Sequence, residues 1–176
     1  MFTLTERLTL STAATETFAT IDLGSYVDVG DRQALQVHSV DFIFQGTTAT
    51  EDVPTAINTS GSIMVQVTDL NRGGLVFCND RALVASGTLW LDVDGALDND
   101  SDLYPDNYGK GSDDGRFVVN DALYISGIVS ALAANKAINV TVRVNASIVT
   151  LSTRISWRLQ FNLLPQTTEV ISFDLN

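Results

Sequence analysis

Cysteine is almost missing from this chain: Cys78 stands alone. One thiol closes no intrachain disulfide and builds no cysteine-rich zinc site. Within Leu75-Val76-Phe77-Cys78 it reads as a small buried side chain. Histidine is equally scarce. His38 is the single one and falls inside a predicted strand, which excludes a two-histidine metal site and leaves a serine triad without support. No neighbouring pattern favours a dyad between His38 and Cys78. Only Lys110 and Lys136 are lysines, so the basic stripe or arm that direct nucleic-acid binding requires is lacking. The longest apolar-leaning stretch, Leu123 to Ala134, is interrupted by Ser126, Gly127 and Ser130 and falls short of the roughly 20 residues of a transmembrane helix. The opening, Met1-Phe2-Thr3-Leu4-Thr5-Glu6-Arg7, has no basic segment leading into an apolar one, so no secretory signal is expected. Gly73-Gly74 and Gly109-Lys110-Gly111 lack phosphate-loop spacing. Four sequons begin at Asn58, Asn99, Asn139 and Asn145. The last two lie in a predicted strand, so chance accounts for them better than glycosylation does.

What remains is a chain of 176 residues, 45% hydrophobic and 18% charged. Those proportions are globular, and the length suits one domain over 1–176 that buries roughly 70% of its unfolded surface. The clearest pattern lies at 138–163. Ile138, Val140, Val142, Val144, Ala146 and Ile148 alternate with polar residues; Ile155, Trp157, Leu159, Phe161 and Leu163 do the same. A strand sends successive side chains to opposite faces, so each run has one dry and one wet face. The two runs read as an antiparallel pair in a sheet buried on one side.

The remainder follows the same style. Threonines 3, 5, 9, 12, 15, 17 and 20 favour extended backbone at the start. Strands are predicted near 3–10, 17–23, 33–44, 62–69, 75–79, 88–93, 117–128 and 169–175. Residues 46–60, with Pro54, read as a loop. Ser130 to Asn135 has the one helical composition in the chain. Eight to ten strands with turn punctuation, and no repeat of 20–50 residues, make the fold class all-β: an antiparallel β-sandwich or barrel.

Net charge is −11, and nine of the 17 aspartates lie within 92–121. An Asp-rich surface repels phosphate and stays soluble. The loop at about 94–115 is the acidic centre. Asp98-Asn99-Asp100-Ser101-Asp102 has the spacing that opens many calcium loops, but an EF-hand counted from Asp98 needs Gly at 103 and Glu at 109, where this chain has Leu103 and Gly109. Two readings stand. One is a solvated loop of turn formers, including Gly95, Pro105 and Gly111. The other is a Ca2+ site with Asp92, Asp94, Asp98, Asp100 and Asp102 as ligands. Trp157 belongs to the apolar face of its run and reads as core. Trp90 faces opposite to Leu89 and Leu91 and is expected at the surface or in an interface.

At this length and strand count the chain resembles the single jelly-roll capsid proteins of tailless icosahedral viruses. The resemblance is one of architecture, spread over nearly the whole chain, and carries no diagnostic motif. It implies an eight-stranded single jelly roll, a structural self-assembling role in a virion shell, and partners that are copies of itself and other shell proteins. Leu103, Tyr104, Tyr108 and Trp90 would then be interface residues, since tyrosine is enriched at interfaces. The acidic N terminus departs from capsids that package RNA on basic tails and suits shells that leave genome contacts to other proteins. The alternative is an extracellular, calcium-stabilised carbohydrate-binding or adhesin-type sandwich. An enzyme is not expected, and no catalytic residue or resident cofactor is assigned.

Overall fold

The computed structural model describes residues 1–28, 30–57, 60–92, 97–98 and 116–151. In chain order the elements are β1 (Phe2–Leu10), β2 (Thr17–Asp22), β3 (Gln33–Gln45), helix α1 (Val53–Ile57), β4 (Gly61–Thr68), β5 (Leu83–Leu91), β6 (Leu97–Asp98), β7 (Arg116–Val118), β8 (Ala122–Val129) and β9 (Ile138–Thr150). One sheet has the order β1-β9-β3-β7; the other has β2-β8-β4-β5, extended by the two-residue β6. All pairings are antiparallel. The chain steps between sheets at nearly every connection. This is the connectivity of an eight-stranded jelly roll.

The alternation in the sequence builds the core directly. Leu4, Leu8 and Leu10 of β1, and Val140, Val142 and Val144 of β9, face Ile63, Val65 and Val67 of β4 and Leu123 and Ile125 of β8. Each such side chain contributes roughly 1.5–3 kcal/mol by leaving water. The sheets approach closely at one row. Gly127, Val65 and Gly87 stand side by side across β8, β4 and β5. A Cβ at Gly127 would lie 2.6 Å from Leu8, and one at Gly87 would lie 2.7 Å from the Phe42 ring. The two glycines are notches that receive large side chains from the opposite sheet.

Several expectations are corrected. The run at 138–148 pairs with β1 on one side and β3 on the other. Both of its edges are therefore taken over 139–146, where the expected partner at 155–163 would have paired; that run and 169–175 lie outside the described residues, as does Trp157. The predicted strand 117–128 is two strands. The chain leaves one sheet after Val118 and enters the other at Ala122, with Asn120 and Asp121 at the switch. Residues 75–79 form no strand, and Cys78 is exposed rather than buried. Their apolar letters lie over the outside of a sheet, not inside the sandwich. Residues 130–135 form no helix; Asn135 has φ 59° and Ala133 N–H donates to Ala56 O at 2.9 Å. The helix lies instead in the expected loop. Asp52 Oδ1 accepts Thr55 N–H at 2.9 Å as its N-cap, and Pro54 occupies the first turn, where its missing N–H costs nothing.

Strand β3 contains a bulge. Val37 faces Ala146 and Ser39 faces Asn145, which leaves His38 as an extra residue. Before it Leu35 and Val37 are buried; after it Val40, Phe42 and Phe44 turn to the core. One inserted residue reverses the parity of the strand.

Candidate functional site

The outer face of the β2-β8-β4-β5 sheet carries the most unusual surface. Register places Met64 opposite Ile128, with Phe18 diagonal to Ile128 and Trp90 diagonal to Met64. The four form an oblique apolar stripe across four strands. Phe18 is 54% exposed, Trp90 51% and Met64 38%. Contiguous apolar side chains left in water mark interaction surfaces more often than scattered ones do. Trp90 was expected to point away from Leu91, and it does: Leu91 is buried while Trp90 stands in solvent.

Beside the stripe, residues 69–82 arch over the same face. The arch is pinned by side chains of the sheet beneath it. The Gln66 amide donates to Val76 O at 2.9 Å and accepts Val76 N–H at 2.7 Å, replacing the strand partner that this segment lacks. Asn71 Oδ1 accepts Gly73 N–H at 3.0 Å, in a turn where Gly73 has φ 71°. Arg72 Nη2 meets Asp80 Oδ1 at 3.0 Å, and the same oxygen accepts Ala82 N–H at 2.8 Å. At the tip Phe77 is 87% exposed.

The root of the arch holds a half-buried charge pair. Arg116 Nη2 of β7 lies 2.9 Å from Asp69 Oδ2, just past β4. Arg116 also donates to Arg81 O, and Asn120 donates to Asp69 O. The pair joins the two sheets. Asp69 is only 8% exposed, and burial pushes its carboxyl above the ordinary carboxylate range, with Arg116 opposing less strongly. Asp69 Oδ1 and Arg116 Nε, both buried, make no hydrogen bond among the described residues.

The predicted site residues divide. Asp92 is exposed at the end of β5, and Asp98 pairs with Trp90 in the ladder. Asp94, Asp100, Asp102, Leu103, Tyr104 and Tyr108 lie outside the described residues. Among the described residues no three His, Cys, Asp or Glu side chains gather to hold a metal. His38 lies at the bulge with Nε2 2.8 Å from Ser147 Oγ. Asn139 and Asn145 use their amides within the sheet: Asn139 donates to Gly46 O at 2.8 Å, and Asn145 donates to Ser39 Oγ at 2.9 Å. These bonds give both asparagines a structural role. Among the described residues no helix is long and apolar enough to cross a membrane.

Sequence reasoning missed Phe18, Met64 and the Asp69–Arg116 pair. Phe18 and Met64 sit on the wet side of alternating runs, and that out-of-phase position was the available signal. The charge pair is 47 residues apart in sequence and left no local mark. No protein-family model matches the sequence, and no curated protein matches it. The fold and this surface carry the functional argument.

Proposed function

We propose that the protein is a self-assembling structural protein, a jelly-roll subunit of a virion shell whose partners are further copies of itself. The observation that carries the reading is the exposed apolar stripe. A sheet face with Trp90 and Met64 in water gains stability when a second copy covers it, and aromatic and methionine side chains are enriched at such contacts. The jelly-roll connectivity supports the reading, since it leaves the stripe side of the β2-β8-β4-β5 face uncovered among the described residues. Because a fold hosts many functions, the surface decides more than the topology. The reading assigns no catalytic step to any residue.

Light scattering on the full chain tests it. Oligomers or closed shells are expected, and replacing Trp90 and Met64 together by Ser should weaken assembly by about tenfold or more, the equivalent of about 1.4 kcal/mol per contact. Folding should be spared, because exposed substitutions of this kind stay within about 0.5 kcal/mol. A monomer at every salt and protein concentration would end the proposal.

Calcium at the acidic loop belongs to the same proposal. Carboxylates are the hard oxygen donors that Ca2+ takes, and Asp92 follows two residues after Trp90, whose ladder partner is Asp98 at one end of the stripe. If Asp92, Asp94, Asp98, Asp100 and Asp102 hold Ca2+ at contacts, EDTA should dissociate the assemblies and added Ca2+ should restore them. Assembly indifferent to both would leave the loop as solvated surface.

A further inference from the structure

Under the arch, at the end of the face away from Trp90, lies a cavity of about 340 Å³ between the 71–73 turn and strands β2 and β8. Its size falls in the range of small-ligand sites, roughly 300–1,000 Å³. Phe18 and Tyr124 line it from the sheet. Register makes them diagonal neighbours on one face, since Phe18 pairs with Ser126 and Thr20 with Tyr124. Asn71 and Arg72 line the opposite side, and Thr20 and Ser126, the other diagonal pair of the two strands, line it as well.

We propose that this cavity binds a neutral sugar, a single pyranose ring of an oligosaccharide. Three features point to that class. Two aromatic side chains line it from diagonal positions of the sheet, and an aromatic ring is an apolar surface on which the C–H face of a pyranose can rest. Around them stand an amide, two hydroxyls and a guanidinium, groups that hydrogen-bond hydroxyls as donors or acceptors. Among the described residues the only charged one lining the cavity, Arg72, is already paired with Asp80 at 3.0 Å. The rim is thereby neutralised, and a protein of net charge −11 repels anions at long range. Among the described residues a nucleotide, phosphate or acidic sugar finds no unpaired cation here; a neutral polyol needs none.

The site is also preorganised. Gln66 clamps Val76, Asn71 fixes the Gly73 turn, and Asp80 ties Arg72 to Ala82. The arch is held by its own hydrogen bonds before any ligand arrives, which lowers the ordering cost of binding. The proposal uses neither Trp90 nor Met64, but it shares Phe18 with the stripe, so a copy that covers the whole stripe would compete with the sugar.

Saturation-transfer NMR on the full chain tests it, with glucose, galactose, mannose and N-acetylglucosamine at millimolar concentration, and lactose competed against sialyllactose. At least one neutral sugar should receive saturation. Phe18→Ala, which removes an exposed ring and leaves the core intact, should reduce the signal by about tenfold. Arg72→Ala should do the same, and the melting temperature of each variant checks its fold. No transfer to any neutral sugar would overturn the proposal. Binding that survives both substitutions in folded protein would also overturn it. A clear preference for sialyllactose over lactose would overturn it too, by making the site one for anions.

Discussion

Arg116→Ala should be among the most damaging single substitutions outside the aliphatic core. It would strand the Asp69 carboxylate, 8% exposed, without its counter-charge. Breaking a fully buried pair from one side costs about 3 kcal/mol or more; with Arg116 partly exposed the cost should be about 2 kcal/mol, which for a chain of this size lowers the melting temperature by roughly 4–8 °C. The two partners are not equivalent. Asp69→Asn keeps an oxygen that accepts from Arg116, and Arg116 keeps the Arg81 carbonyl, so this variant should lose about 1 kcal/mol or less. Adding Asp69→Asn to Arg116→Ala should recover most of the loss.

The pH dependence separates this account from simple loss of packing. The Asp69 carboxyl titrates above its ordinary range in the folded protein. Such a group is protonated more readily folded than unfolded. It subtracts stability as pH rises through its folded pKa, and the subtraction is absent below the unfolded value near about 4. Removing Arg116 strengthens the effect, because Arg116 is what lowers this pKa. The deficit of Arg116→Ala relative to the parent should therefore shrink on acidification toward about pH 4. Chemical denaturation at several pH values measures it. A deficit that is flat with pH, or under about 1 kcal/mol at neutral pH, would show that the pair does not hold the sheets together.

Gly127→Val should be comparably severe for a different reason. Its Cβ alone would lie 2.6 Å from Leu8 Cδ2, and 3.4 Å from both Leu10 Cδ2 and Met64 O. Leu8 is buried, so moving its Cδ2 out of the way must displace packed neighbours. Overpacking of this kind costs about 3 kcal/mol. Leu8→Ala by itself should cost about 3 kcal/mol through the cavity it leaves. Combined, each substitution relieves the other, and the double variant should lose about 4 kcal/mol rather than the sum. Thermal or denaturant unfolding of the four proteins reads the coupling directly. Strict additivity would mean that the notch and its knob do not meet.

Legibility from sequence followed the range of the interactions. Strands β1, β2, β3, β4 and β9 were readable because each carries its own period-two pattern, and their observed bounds lie within about two residues of those expected. The sandwich class followed from them. The bulge at His38 was also visible in principle: inward residues run Leu35, Val37, then Val40, Phe42 and Phe44, and the step of three marks one inserted residue. Strand β7 was merged with β8 because apolar letters continue through Val118-Val119, and only Asn120-Asp121 signals the change of sheet. Residues 75–79 look like a strand for the same local reason. What decides their state is Gln66, which offers both halves of an amide and so absorbs the backbone groups of Val76. The candidate sites were less legible. Trp90 stood out because it broke phase with Leu89 and Leu91. Asp69 and Arg116 did not, because a buried charge pair is defined by tertiary contact and not by spacing.

Among the described residues strand β1 has a single ladder partner, β9, which lies almost the whole sandwich later in the chain; the Thr3 hydroxyl donates to Asn145 Oδ1 across 142 residues. On a ribosome the two are separated in time as well. At about 5–20 residues per second, roughly 7–28 s pass between their emergence. Throughout that interval the strand bearing Leu4, Leu8 and Leu10 lacks the ladder partner it pairs with in the finished fold. The strand that waits has Thr3, Thr5, Arg7 and Thr9 on its other face, and such a polar, partly charged face discourages edge-to-edge pairing with neighbouring nascent chains. Its threonines, first legible as strand formers, also keep it soluble until its partner arrives.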